Sequence, residues 1–120
     1  NDDDLDPWAG LYDTYEEQRW LTALAQWRLL TMGMHLGNFP DAEMRYERLQ
    51  MDYPPDTPGY PVAVLAERFW SQYQETGNVA YGCIEAVNAP EVEAVLSFLN
   101  SFGYANPTYA AEDLCPFLMP

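Results

Sequence analysis

Several stretches of this chain carry apolar residues at the spacing of one face of an α-helix, and proline or glycine separates them. The clearest stripe alternates steps of four and three residues and consists of Trp20, Leu24, Trp27, Thr31 and Met34. This periodicity is typical of a helix that packs on a core. Thr14 and Glu17 have the spacing of a capping box ahead of the stripe. Because Gly37 follows as a stop signal, we expect this helix to end near Leu36.

Prolines and glycines divide the rest of the chain into further short helices. Pro40, Pro61 and Pro90 each stand near the start of an apolar stripe, where the first helical turn tolerates proline. No segment alternates with the period of a strand, and no internal repeat is present. The sequence therefore predicts an all-α fold, a compact single-domain bundle of five to six short helices with a proline-rich loop. After the first helix, the predicted segments are 41–51, 61–76, 78–87 and 90–102, with a last turn ending at Leu114.

The chain begins with an acidic stretch. Residues 1–12 are predicted to form a flexible arm, and residues 13–120 a single helical domain, which suits a chain of 120 residues. Because Asn1 rather than methionine stands first, we expect a preceding segment to have been removed. A cleaved signal peptide or a trimmed terminus would each have this result. The acidic residues of the arm are Asp2, Asp3, Asp4 and Asp6.

The segment 52–61 is predicted to be a stiff extended loop, because it holds four prolines and a glycine. A stiff loop loses little conformational entropy when it docks, so this segment is suited to binding a partner. A plain connector between helices is the alternative. The candidate contacts are Asp52, Tyr53, Asp56 and Tyr60 in the loop, together with Asp41 and Glu43 in the preceding helix.

Acidic residues far outnumber basic ones. The chain has 19 Asp and Glu against five Arg and no Lys, which gives a formal net charge of −14. Such a molecule attracts cationic partners and repels anionic ones. Because there is no Lys or Arg cluster to neutralise phosphates, binding to nucleic acid or to an anionic membrane surface is not expected. No stretch approaches the roughly 20 apolar residues of a membrane-spanning helix.

The sequence contains no recognisable catalytic or metal-binding pattern. The only histidine, His35, stands near a helix C-terminus, where it interacts favourably with the helix dipole. No serine stands in a nucleophile-elbow motif, and there is no glycine-rich phosphate loop. One histidine and two distant cysteines do not make a zinc site. We therefore predict a protein without enzymatic activity, cofactor or metal.

The two cysteines, Cys83 and Cys115, are too far apart in sequence for a metal-binding motif. In an oxidising compartment they could form one disulfide that holds the C-terminal segment, which otherwise has little to fix it. Two buried free thiols in a cytosolic protein are the alternative. The disulfide is the favoured prediction.

Two segments resemble a known family. Residues 82–96, with the sequence GCIEAVNAPEVEAVL, place a cysteine, an aliphatic and an acidic residue before a small-polar break and an acidic amphipathic helix. This resembles the C-terminal part of the periplasmic immunity proteins that neutralise type VI secretion amidase effectors. Residues 16–21, with the sequence EEQRWL, resemble the opening of the first helix in that family.

The resemblance implies an exported, all-helical and often dimeric inhibitor that blocks the active-site cleft of a toxin with a protruding loop. It therefore implies a periplasmic or secreted location and allows a homodimer. The family's first helix carries a cysteine that pairs with the one equivalent to Cys83. Here that helix has no cysteine, and the available partner is Cys115.

The function predicted from these features is that of an acidic, non-enzymatic inhibitor that occludes a basic protein partner. We expect an exported immunity protein against a cell-wall-degrading effector. One alternative is a cytoplasmic DNA mimic whose carboxylates imitate phosphates and block a nucleic-acid channel. Another is a structural subunit of a larger assembly, with its excess aromatic residues at the subunit interface. A third is a halophilic surface with no partner at all.

Overall fold

The computed structural model of this chain describes residues 15–101 and 108–116. Within these ranges it contains five α-helices, one short 3-10 helix and no β-strand, so the predicted all-α bundle is confirmed. The predicted arm, residues 1–12, lies outside the described residues. The elements are α1 Tyr15–Leu36, α2 Phe39–Asp52, α3 Tyr60–Thr76, α4 Val79–Val87, α5 Val92–Ser101 and the 3-10 helix Ala111–Leu114.

Helix α3 lies at the centre of the bundle and contacts each of the other four helices. Its apolar stripe is buried as the sequence predicted, and the Phe69 ring meets the Trp27 ring of α1 edge-on, with centroids 5.9 Å apart. At the end of α3 the Gly77 amide donates to the Tyr73 carbonyl, and the Asn78 side chain then accepts from the amide of Ala80 to begin α4. The fully buried members of the stripe are Val62, Leu65, Ala66 and Phe69.

The predicted loop 52–61 is shorter than the sequence indicated. Asp52 is still the last residue of α2, and Tyr60 and Pro61 already belong to the first turn of α3. Proline is accommodated there because the first helical amides have no partner within the helix. Helix α2 ends at Asp52 because Tyr53 precedes a proline and cannot easily remain helical. The non-helical connection therefore comprises residues 53–59 only.

The C-terminal segment is attached to the bundle at two neighbouring points. Cys83 of α4 and Cys115 are joined by the predicted disulfide, with their Cα atoms 6.1 Å apart and both residues fully buried. This separation is usual for a disulfide. Beside it, the indole N–H of Trp27 donates to the carbonyl of Leu114 over 2.7 Å. The 3-10 helix is thus held between α1 and α4.

We expect Trp27→Phe to lower the free energy of unfolding by about 1–3 kcal/mol, because it leaves the buried Leu114 carbonyl without a donor. Urea unfolding followed by circular dichroism would measure the loss. Trp70→Phe is the matched control, since it trims the same atoms from a buried ring that stacks on Tyr46. Equal losses in the two variants would contradict a specific contribution of the Trp27 hydrogen bond.

None of the helices in the described part of the chain combines the length and the apolar character that crossing a membrane requires.

Candidate partner-binding surface on α2 and the α2–α3 connection

The inner face of α2 fixes the orientation of its outer face. Ala42 and Leu49 are fully buried, and the half-buried Tyr46 stacks on Trp70 of α3 with ring centroids 5.1 Å apart. Because side chains three, four and seven positions apart share a helix face, the remaining residues form a second face that points to solvent. The exposed residues of this outer face are Glu43, Met44, Glu47, Arg48 and Met51.

Carboxylates dominate this side of the molecule. Asp41 is half-buried and paired with Arg45, whose Nε lies 3.7 Å from a carboxylate oxygen of Asp41. Arg45 also donates to the side-chain oxygen of Gln26 in α1 over 3.3 Å, so it is drawn toward the α1–α2 interface. Four other carboxylates are exposed, and we call them the acidic surface: Glu43, Glu47, Asp52 and Asp56.

Tyr53 anchors the connection to the body of the protein. Its side chain is only 4% exposed, and its hydroxyl lies 2.6 Å from the hydroxyl of Thr22 in α1. The guanidinium of Arg19 lies over the Tyr53 ring, 4.2 Å from the centroid, and also donates to the carbonyl of Asp52. A cation over an aromatic ring is attracted to the face of that ring, so this contact stabilises the position of Tyr53 against α1. Tyr53 was predicted as a partner contact, but its burial makes it a support for the connection.

The turn after Tyr53 presents Asp56 to solvent. The Thr57 amide donates to the Pro54 carbonyl over 3.2 Å, and the Thr57 hydroxyl donates to the same carbonyl over 2.6 Å. Asp56 has a φ of +72°, which a type II turn requires at its third residue, and Pro55 occupies the second position that proline favours. The turn is therefore short and internally bonded, and it holds an exposed carboxylate at its tip.

The predicted contact residues thus have three different environments. Glu43, Asp52 and Asp56 are exposed, whereas Asp41 is half-buried in its ion pair and Tyr60 is half-buried in the first turn of α3. A shallow depression of about 220 Å³ adjoins Asp52 on the outer face of α2. Its other lining residues are Met44, Glu47, Arg48 and Met51.

Sequence reasoning missed the two methionines in this depression. Met44 and Met51 stand seven positions apart on the face opposite Ala42 and Leu49, so the helical period alone could have placed them together. It also missed Arg19, which is remote in sequence from the connection that it holds and is brought there only by the packing of α1.

No protein-family model, curated protein or solved structure matches this chain. The resemblance of residues 82–96 and 16–21 to immunity proteins therefore stays a prediction. In the part of the chain that the structure describes, no group of three or more His, Cys, Asp or Glu is placed to hold a metal ion.

The carboxylates near Tyr46 create a negative local field. Partial burial raises the pKa of Tyr46, and the nearby carboxylates of Glu67 and Glu47 raise it further. The carboxylate contribution to this shift reflects a negative field that would stabilise a positive charge brought alongside, whereas the larger contribution, from burial, would not. The arrangement can thus attract and hold basic side chains.

Proposed function

We propose that this protein is a non-enzymatic inhibitor that binds and occludes a cationic protein partner through its acidic surface. The observation that carries the proposal is that Glu43, Glu47, Asp52 and Asp56 are exposed on one helix face and on the turn beside it. The turn is held by internal hydrogen bonds and by the buried Tyr53. Such an ordered surface pays little conformational entropy on docking.

The charge of the whole molecule supports the same function. A net charge of −14 surrounds the chain with negative potential, which steers a basic partner toward it and raises the association rate. The effect should weaken with added salt, since exposed charges are screened beyond about 10 Å at 0.1 M ionic strength.

Among such inhibitors, we favour an exported immunity protein that neutralises a cell-wall-degrading amidase effector. The Cys83–Cys115 pairing supports export, because disulfides persist in oxidising compartments and are rare in the cytosol. The resemblance of residues 82–96 and 16–21 supports the immunity family. A cytosolic DNA mimic is less favoured for two reasons: the disulfide, and the interruption of the α2 carboxylates by Arg45 and Arg48.

The proposal is tested by inhibition of peptidoglycan hydrolysis. The oxidised protein is added to purified type VI amidase effectors from the genome that encodes it, and release of cell-wall fragments is measured. We expect stoichiometric inhibition of one effector. If the folded, oxidised protein inhibits none of them and forms no complex by analytical size-exclusion chromatography, the immunity function is wrong.

Neutralising the carboxylates of Asp52 and Asp56 should slow association with that effector. We expect Asp52→Asn combined with Asp56→Asn to lower the association rate about tenfold at low salt and to flatten its salt dependence. Asparagine keeps the shape of aspartate and tolerates the left-handed backbone of residue 56. Stopped-flow or biolayer interferometry at several salt concentrations would measure the rates.

A matched control removes the same number of charges at positions away from the acidic surface. Glu75→Gln combined with Glu93→Gln removes two exposed carboxylates, one of them near the opposite end of α3 from the connection. Helix α3 is 17 residues long, so its two ends are about 24 Å apart. We expect the control to retain most of the association rate. If both pairs slow association equally, total charge rather than the acidic surface is responsible.

A further inference from the structure

The outer face of α2 contains four residues at the spacing that receives a side chain from another helix. Met44, Glu47, Arg48 and Met51 occupy positions i, i+3, i+4 and i+7, and together they line the depression of about 220 Å³. Four residues at this spacing form the hole that receives one knob when two helices pack side by side. We call these four residues the α2 hole.

We infer that a basic helix of the partner packs against α2 and inserts one bulky apolar side chain into the α2 hole. This inference rests on the proposed function and adds the form of the partner segment that the acidic surface receives. The partner segment is a cationic amphipathic helix, with lysine or arginine on both sides of an apolar knob.

The two methionines give the α2 hole its apolar character. Met51 is 79% exposed and Met44 is 38% exposed, which leaves two flexible thioether side chains in water. Methionine adapts its shape to an incoming group and makes favourable contacts with aromatic rings. The depression is shallow and open to solvent, and its volume is about 220 Å³. One aromatic or large aliphatic side chain therefore fits it.

The charges around the α2 hole specify a cationic helix and constrain its register. Glu47 and Asp52 line the depression itself, and Glu43 lies one helical turn away on the same face. Arg48 also lines it, and its aliphatic stem adds apolar wall while its guanidinium stays in water. Basic residues of the partner gain from the carboxylates but are repelled by Arg48, so only some registers are favourable.

The face behind the α2 hole is firmly packed, which suits it for docking without rearrangement. Ala42 and Leu49 are buried against the bundle, and Tyr46 stacks on Trp70. The amide side chain of Gln50 donates to the Ala63 carbonyl of α3 over 2.9 Å and fixes the two helices together. An interface held in place in this way loses little freedom when the partner binds.

Methionine methyl resonances provide a direct test. The full chain is labelled with carbon-13 at the methionine methyl groups and titrated with a synthetic basic amphipathic peptide of about three heptads carrying one tryptophan knob. We expect saturable shifts of the Met44 and Met51 resonances and little change at Met32 and Met34 of α1. A scrambled peptide of equal charge without an apolar face is the control.

Side-chain variants separate the contribution of the apolar α2 hole to binding from the contribution of the charges. Met44→Gln combined with Met51→Gln should weaken peptide binding at least about tenfold, as expected for loss of a central anchor. Met44→Leu combined with Met51→Leu keeps apolar surface of similar volume and should retain binding within about threefold. Both pairs are solvent-facing, so thermal unfolding should be nearly unchanged.

The inference is overturned if the Met44 and Met51 resonances do not shift, or if the scrambled peptide shifts them equally. It is also overturned if the glutamine pair leaves effector inhibition unchanged while the Asp52→Asn and Asp56→Asn pair weakens it. That combination would leave the proposed function standing. If the unmodified protein inhibits no effector, the proposed function itself is contradicted, whatever the result of the peptide titration.

Discussion

Reducing the Cys83–Cys115 disulfide is expected to lower the free energy of unfolding by about 3.5 kcal/mol. The bond closes a loop with a sequence separation of 32 residues, and the cost of closing such a loop in the unfolded chain sets this magnitude. The native state also contributes, because Cys115 follows Leu114, whose carbonyl accepts the Trp27 hydrogen bond. Release of the segment would therefore weaken its attachment to α1 as well as to α4.

Urea unfolding of the same protein with and without a reductant measures this effect without changing the sequence. The double variant Cys83→Ala and Cys115→Ala is the control, since it should unfold like the reduced protein and show no response to the reductant. A loss below about 1 kcal/mol would contradict the expected constraint on the unfolded chain. A large loss would support the proposed export, because disulfides persist in oxidising compartments.

Replacing Gly59 with alanine is expected to lower the free energy of unfolding by about 3 kcal/mol. Gly59 has a φ of +91°, and a left-handed backbone costs an alanine about 1–2 kcal/mol. A β-carbon at this position would also lie 3.0 Å from the β-carbon of Ala23 and 3.0 Å from the Tyr53 ring. It would be 3.2 Å from the Arg19 carbonyl, so the crowding adds about 1–3 kcal/mol.

Gly77→Ala separates the cost of the left-handed backbone from the cost of crowding around the β-carbon. Gly77 has a similar φ of +70°, but a β-carbon there would have no atom within 4 Å. We expect this control to lose only about 1 kcal/mol, measured by urea unfolding under the same conditions. Equal losses at Gly59 and Gly77 would show that crowding against α1 contributes nothing. Because the α2–α3 connection is held there, Gly59→Ala should also weaken partner binding at temperatures where the variant remains folded.

Much of the fold follows from local patterns in the sequence. The predicted end of the first helix near Leu36 and the predicted segments 61–76 and 78–87 agree with the structure to within about one residue, because each depends on nearby residues alone. The predicted cap at Thr14 lies outside the described residues. The prediction for segment 52–61 was wrong at both ends, since a proline near a helix start can lie inside the first turn. Within residues 53–59, the prolines and the glycine do define a short, rigid connection.

The candidate surface was only partly predictable. The excess of carboxylates and the stiffness of the connection are properties of composition, and they identified Asp52, Asp56 and Glu43 as exposed acidic residues. The role of Tyr53 was not visible, because a tyrosine in a proline-rich loop has the same sequence signature whether it faces solvent or the core. Its contacts are with Arg19 and Thr22, which stand more than thirty positions earlier in the sequence.

The helical class, most helix ends, the negative charge and the cysteine pair can all be inferred from the sequence without a structure. These depend on periodicity, capping and composition, which act over a few residues or over the whole chain. The packing of the helices was needed to show that Tyr53 is an internal anchor and that Arg19 of α1 holds the α2–α3 connection. These contacts join residues that are distant in sequence, and local patterns do not encode such contacts.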